Sequence, residues 1–356
     1  MYKITLFPGD GIGVEVTEQA EKLIREIGKK FHLVFEIEKG LIGGASIDKY
    51  GEPMTAENLE KAKKADAVFL GAVGGPKWDH VETAKRPEKA LLALRKGLDV
   101  YANLRPVKMF PQLVNNSPLK PEIVSGVDLM IFRELVSGIY FGQPRGIHTN
   151  ADGEEVGINT EYYSTKQVER IAVKAFEFAR RRRKKVTSVD KANVLESSQL
   201  WRKVVTEVGK RYPDIQLDHR YVDDCAMQLI KCPSQFDVMV TTNLFGDILS
   251  DEGAMVAGSI GMLPSASIGD NHALYEPVHG SAPDIAGKDL ANPLATIISV
   301  AMMMEHSFNL FEVAQSINKA VGKVLADGYR TADIYSEGTN KIGCVKMGEL
   351  VIGAIK

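Results

Sequence analysis

The stretch Ile4-Thr5-Leu6-Phe7-Pro8-Gly9-Asp10-Gly11-Ile12-Gly13-Val14 sets the terms for the fold. Its first four residues read as a buried strand, and a glycine-rich turn follows. Val16, Ala20, Leu23, Ile24 and Ile27 then recur at helical spacing and form one apolar stripe. A strand, a glycine turn and a helix invite a dinucleotide-binding reading, but the register fails. The third glycine of G-x-G-x-x-G would fall at Val14 counting from Gly9, or at Val16 counting from Gly11. A tight turn into a helix accounts for the segment better, and a Rossmann fold is rejected.

Outward from this unit the chain keeps alternating. Strand-like runs lie at Leu33–Ile37, Ala67–Leu70, Leu129–Phe132, Val186–Val189, Gln216–Val222 and Val238–Thr241. Helical patterns cover 165–183, 196–210 and 243–256, with two more near 293–306 and 310–326. Alternation of this kind predicts an α/β architecture. One segment breaks it. Residues 139–163 place the turn signal Asp152-Gly153 between short β-prone pieces, which describes either a surface hairpin or an arm that pairs with another subunit.

At 356 residues the chain is long enough for two domains. Its 44% hydrophobic and 25% charged residues exclude global disorder and fibrous classes. Lys and Arg total 44 against 46 for Asp and Glu, so no overall field draws the chain to nucleic acid or to an anionic membrane. The longest apolar run, Leu294–Met304, has about 11 residues against the roughly 20 needed to span a bilayer. Met1-Tyr2-Lys3-Ile4 leads straight into a strand without signal-peptide features. Cys225, Cys232 and Cys344 are too irregularly spaced for a disulfide framework or a zinc site. They read as reduced thiols of a cytoplasmic protein.

Several residues carry candidate chemistry. In Asn243-Leu244-Phe245-Gly246-Asp247-Ile248-Leu249-Ser250-Asp251, Asn243 is placed to cap a helix. The i, i+4 spacing then sets Asp247 and Asp251 on one face. Carboxylates without His or Cys suit a hard cation, Mg²⁺ or Mn²⁺, although the same spacing also describes a solvated helix face. Asp223 and Asp224, at the end of another strand, offer a third ligand. Arg95, Arg105 and Arg133 lie near strand-like segments; converging, they would clamp a di- or tricarboxylate, and separately they are surface ion pairs. The run Arg180–Lys185 complements a helix C-terminus and reads as a solvated end. Lys191 and Tyr140 each follow a strand and offer proton transfer; a lysine base needs its pKa lowered toward about 7–8. The small-residue loop His279–Gly287 permits close backbone approach to phosphate, with Asp284 able to accept from a ribose hydroxyl, or is simply a structural turn.

Taken in order, seven stretches resemble one family across essentially the whole chain. They are Pro8–Gly13, Gly71–Trp78, Asn103–Pro106, Phe132–Leu135, Asp190–Val194, Asn243–Asp251 and Glu276–Ile285. The resemblance is to the β-hydroxyacid oxidative decarboxylases, the isocitrate/isopropylmalate dehydrogenase family, on its isopropylmalate side. It implies a two-domain, non-Rossmann α/β fold. The first domain would take 1–100 and 257–356 with the cofactor site, and the second 101–256. The implied assembly is a homodimer with 139–163 as a crossing arm, each site taking Lys191, Asn193, Val194 and Asp223 from the partner.

The implied reaction is NAD-dependent oxidation of 3-isopropylmalate with loss of its β-carboxylate, a step of leucine biosynthesis. By similarity, Asp247 and Asp251 with the other subunit's Asp223 would hold Mg²⁺ or Mn²⁺, and Arg95, Arg105 and Arg133 the carboxylates. Lys191 would be the general base and Tyr140 the general acid. Glu88, Leu91 and Leu92 would choose the substrate, the two leucines seating an isopropyl group; an extra carboxylate buried against them without a partner is costly. Glu276, His279, Gly280, Ser281, Ala282, Asp284, Ile285 and Asn292 would line the cofactor site, with Asp284 favouring NAD over NADP. Two departures are minor: Val14 stands where relatives often have Pro, and Ser137 where many have Gly. The rival readings are a sister enzyme for isocitrate, homoisocitrate or tartrate and a non-catalytic regulatory subunit. A nucleic-acid binder resting on Arg180–Lys185 is more remote.

Overall fold

The computed structural model describes residues 1–356. It is an α/β protein whose chain divides into two compact units: residues 1–100, 109–126 and 254–356 form the first, and 101–108 and 127–253 the second. The expected division, 1–100 and 257–356 against 101–256, differs in two stretches, because 109–126 and 254–256 fall in the first unit.

In the first unit the strand Tyr2–Gly9 pairs in parallel with Phe35–Lys39 on one side and Ala67–Ala72 on the other. Ala67–Ala72 continues in parallel to Ala273–Pro277, which pairs antiparallel with Pro264–Ile268. The helix Gly13–Lys30 buries the predicted stripe of Val16, Ala20, Leu23, Ile24 and Ile27 completely. The turn before it is no phosphate cradle. Asp10 fills it, its carboxylate accepting the backbone N–H groups of Gly44, Ala45 and Gly74, each at 2.8 Å. Gly11, at φ +57°, lies so close to the Ser281 carbonyl that a Cβ would sit 2.1 Å from its oxygen. The apolar run Leu294–Met304 is buried on every side within the helix Leu294–His306. No helix is long and apolar enough to cross a membrane.

The strands Pro264–Ile268 and Ala273–Pro277 are absent from the sequence expectation. The first is built of small residues, and its polarity is absorbed internally: Ser265 Oγ and Ser299 Oγ both donate to the Glu276 carbonyl.

The second unit's sheet runs Ala102–Lys108, Asp128–Glu134, Val238–Thr241, Lys185–Asp190, Gln216–Tyr221. The first pair is antiparallel, with Asn103 opposite Arg133; the rest are parallel. Two expectations change here. The strand from Gln216 ends at Tyr221, and Val222–Lys231 is a helix whose first turn holds Asp223 and Asp224. Arg180–Lys185 is not merely a solvated helix end. Arg182 pairs with Asp128 at 2.6 Å and with buried Asp237 at 2.8 Å, tying the segment to the sheet. The segment 139–163 does contain a hairpin, Arg145–Thr149 against Glu155–Asn159, forming its own two-stranded sheet.

Candidate active site

The strand Val238–Thr241 delivers the chain into the helix Asn243–Val256, which presents Asp247 and Asp251 one turn apart. Two neighbouring strands supply the opposite charge. Arg105 Nη1 lies 3.5 Å from Asp247 Oδ1 and 3.7 Å from Asp251 Oδ1, while its Nε donates to Asn103 and its Nη1 to Ser250. Arg133 reaches the same Asp247 oxygen through Nη1. Tyr140, in a short turn after the strand Asp128–Glu134, donates to Asp247 Oδ2 at 2.7 Å. Asn243 does not cap its helix. Its carboxamide oxygen accepts from Arg133 Nε at 3.0 Å and Nη2 at 2.8 Å.

The electrostatics follow from this crowding. Burial pushes the Tyr140 phenol up to about 12, and the hydrogen bond to Asp247 adds to it against the opposing pull of Arg133 and Arg105. Tyr140 therefore holds its proton throughout the neutral range. Partial burial raises the Asp251 carboxyl although its side chain stays 58% exposed; Arg105 works against this and Asp247's charge adds to it. A second carboxylate whose ionisation is opposed by burial and by a like charge is one that a dication would relieve. The all-oxygen donor set of Asp247 and Asp251 fits Mg²⁺ or Mn²⁺. No group of three His, Cys, Asp or Glu residues suited to a metal occurs in the chain, so Asp247 and Asp251 would hold such an ion as a pair of carboxylates, with water able to complete its shell.

Lys191 and Asp223 stand together elsewhere in the second unit. Lys191 Nζ donates to Asp223 Oδ1 at 2.8 Å, which lowers the Asp223 carboxyl. Lys191 follows the strand Lys185–Asp190, its backbone N–H fixed by Ser198 Oγ; Asn193 and Val194 beside it are exposed.

The remaining candidates belong to the first unit. Arg95 is buried and forks onto Glu276 Oε1 at 3.2 and 2.7 Å, so Glu276, expected at the cofactor, is first of all the partner of Arg95. On the helix Pro87–Gly97 the core takes Pro87, Ala90, Leu94 and Arg95, leaving Leu91 and Leu92 half-buried and Glu88 exposed. Glu88 Oε1 lies over Gly74, 2.6 Å from where a Cβ would stand.

The loop from His279 fits a nucleotide in three respects. His279 is buried with Nε2 lacking any partner, burial lowering its pKa. No atom lies within 4 Å of a Cβ built on Gly280, so a ligand can approach the backbone there. Asp284 is exposed, with only its carbonyl engaged, by Lys288 Nζ. Ser281 receives the Ile12 N–H on its carbonyl; Ala282 adopts φ +36°. Ile285 is half-buried against Ile12, Val16, Ala291 and Cys344. Asn292 Oδ1 accepts the Leu294 N–H and its Nδ2 donates to Asp333.

Residues 3–351 match the isocitrate/isopropylmalate dehydrogenase family. The chain belongs to the isocitrate/isopropylmalate dehydrogenase family. It is 56% identical to a 3-isopropylmalate dehydrogenase of Aquifex aeolicus, over 99% of this chain and 96% of that one. Against the 3-isopropylmalate dehydrogenase of Pseudomonas putida the identity is 57%, over 99% of both. Among solved structures, an isocitrate dehydrogenase from Methylococcus capsulatus superposes with a TM-score of 0.88 at 38% identity, covering 100% of this chain and 99% of that one.

The fold of this family thus carries substrates of different size and charge, and fold alone does not choose among them. Within the isocitrate/isopropylmalate dehydrogenase framework, Asp247, Asp251, Arg105, Arg133 and Tyr140 form one cluster, Lys191 and Asp223 a separate pair, and Arg95 and Glu276 a third. Three residues around these sites went unread in the sequence: Asn103 and Ser250, which hold Arg105, and Asp333, which accepts from Ser259, Thr331 and Asn292. Ser250 carried a faint signal, lying between the two aspartates. Asp333 carried none, since two of its three partners, Ser259 and Asn292, come from distant parts of the chain.

Proposed function

We propose that the chain oxidises 3-isopropylmalate at its C2 hydroxyl with NAD and releases the C3 carboxylate as CO₂, leaving 4-methyl-2-oxopentanoate. The observation carrying this is the meeting of Arg105, Arg133 and Tyr140 on Asp247, beside Asp251. Full-length likeness to relatives named for this activity supports it. So does the half-buried Leu91–Leu92 pair, an apolar seat for an isopropyl group.

In this reading Arg105 and Arg133 hold carboxylate oxygens, their forks fixed by Asn103, Ser250 and Asn243 before substrate arrives; Arg95, held on Glu276, is the first unit's own candidate for a carboxylate. Lys191 takes the proton of the C2 hydroxyl, and NAD, when bound, would supply the acceptor for the hydride. Asp247, Asp251 and Asp223 would hold Mg²⁺ or Mn²⁺, which would supply Lewis acidity for negative charge developing on the substrate. Once CO₂ has left, C3 needs a proton, and Tyr140 carries one at neutral pH. Exposed Asp284 favours NAD, because an acid accepts from a 2′-hydroxyl and repels a 2′-phosphate. His279, Gly280, Ser281, Ala282, Ile285 and Asn292 form the rest of the cofactor surface, with Glu276 at its edge.

The working unit is a homodimer in which each site takes Lys191, Asn193, Val194 and Asp223 from the partner. Support comes from apolar side chains left in solvent: Met227 is 63% and Ile248 58% exposed, with Val194 and Ile230 also exposed. The Arg145–Asn159 hairpin exposes Ile147 at 74%, and an isolated two-stranded hairpin is marginal alone. Three free thiols accord with a cytoplasmic setting.

Initial rates of NADH formation from 3-isopropylmalate and from isocitrate, with and without EDTA, test the reading. Turnover of 3-isopropylmalate that EDTA abolishes and Mg²⁺ or Mn²⁺ restores is expected. Preference for isocitrate would reassign the substrate, and full turnover in excess EDTA would remove the metal.

A further inference from the structure

The residue that holds Arg133 does more than occupy it. Asn243 is fully buried, and its carboxamide oxygen and nitrogen and its backbone N–H are all engaged within the second unit. Its Oδ1 takes both Nε and Nη2 of Arg133, so one edge of the guanidinium fork is fixed and Nη1 is left to reach Asp247. Its Nδ2 donates to two carbonyls, Leu135 at 3.2 Å and Ser137 at 3.0 Å. Its backbone N–H goes to the Tyr163 hydroxyl at 2.9 Å. The helix also closes on the stem of Arg133, since a Cβ on Gly246 would stand 2.6 Å from Arg133 Cγ.

Residues 135–137 are a strap that has left the strand Asp128–Glu134, and buried backbone groups in such a strap need partners. Buried Glu134 takes the N–H groups of Val136 at 3.3 Å and Ser137 at 2.9 Å, while Asn243 supplies the donors for the carbonyls. The strap runs directly into the turn Gly138–Tyr140. One carboxamide therefore fixes both an arginine and the backbone that presents the tyrosine, and both of those side chains end on Asp247.

We infer that Asn243 is a positioning residue, setting the Arg133 fork for the substrate carboxylate and the Tyr140 strap for proton delivery. The inference rests on the proposed contact of Arg133 with substrate. Steady-state kinetics of the intact enzyme separate the two claims. Arg133→Ala should raise KM for 3-isopropylmalate about a hundredfold; an unchanged KM removes Arg133 from the substrate and the inference with it. If Arg133 passes, Asn243→Ala should raise that KM about tenfold or more and leave KM for NAD within about twofold. Asn243→Asp is nearly isosteric. It keeps the acceptor for Arg133 but turns an oxygen toward the Leu135 and Ser137 carbonyls, so kcat should fall about tenfold with KM held within about threefold.

A split of this kind, KM for one variant and kcat for the other, is not what general loosening would give. An unchanged KM in Asn243→Ala, an equal rise of both KM values, or the same profile for both variants would overturn the inference. If Asn243→Ala does not fold, Asn243→Asp decides alone, and an unaltered kcat or a KM raised tenfold counts against it.

Discussion

Glu134 carries a carboxylate into full burial at the end of the strand Asp128–Glu134, with Arg170 3.9 Å away and Tyr163 nearby. Burial raises its pKa from 4.5 to about 7, despite the N–H groups of Val136 and Ser137 and the charge of Arg170. Below the ordinary value both folded and unfolded chains hold the proton. Between 4.5 and about 7 only the folded chain does, so this group's contribution to stability is present at low pH and is lost as pH rises through that window. The full difference corresponds to about 3 kcal/mol. Urea unfolding at about pH 5 and about pH 7.5 should show that loss in the wild type, and Glu134→Gln should flatten the profile by a similar amount. Parallel profiles would mean that another group governs this range.

The loop from His279 to Asn292 shows how an element mixes legible and illegible roles. Its small residues and the acid at Asp284 were readable, because close approach and charge are properties of single residues. Ile285 was read toward the cofactor, yet it also leans on Ile12, Val16, Ala291 and Cys344, contacts set by two other parts of the chain. A cofactor switch is therefore better attempted at Asp284 alone, since Ile285→Tyr would disturb that packing. Asp284→Lys should lower the preference for NAD over NADP by about tenfold in kcat/KM while leaving KM for 3-isopropylmalate unchanged. An unaltered ratio would move the ribose contact off Asp284. The same contrast runs through the other elements. The i, i+4 aspartates survive from sequence to structure because one helix fixes them. Asn243 was misread as a cap because its partners, Arg133, Leu135 and Ser137, lie more than a hundred residues away. The Pro264–Ile268 strand was missed because serine and alanine give no β signal until the facing strand takes the Ser265 hydroxyl on the Glu276 carbonyl and Ser299 Oγ accepts the Ser265 N–H.

For the molecule as a whole, the question is whether one chain can work alone. Lys191 and Asp223 are fixed to each other by a 2.8 Å contact, while the Asp247 cluster draws its cations from Arg105 and Arg133. If each site combines Asp247 of one chain with Lys191 of the other, two different inactive variants can repair one another. In a dimer of one Lys191→Met chain and one Asp247→Asn chain, one site meets intact Asp247 with intact Lys191, and the other has neither. Random re-pairing after co-denaturation and refolding makes about half of the dimers mixed, each with one working site of two, so about a quarter of wild-type activity should return. Each variant refolded by itself should stay inactive. If both residues of a site come from the same chain, a mixed dimer holds no intact site and mixing restores nothing. Met227→Asp combined with Ile248→Asp gives an independent reading: charges placed at these two exposed apolar side chains should split the dimer on a sizing column and abolish turnover together. A monomer that retained full activity would place the whole reaction within one chain.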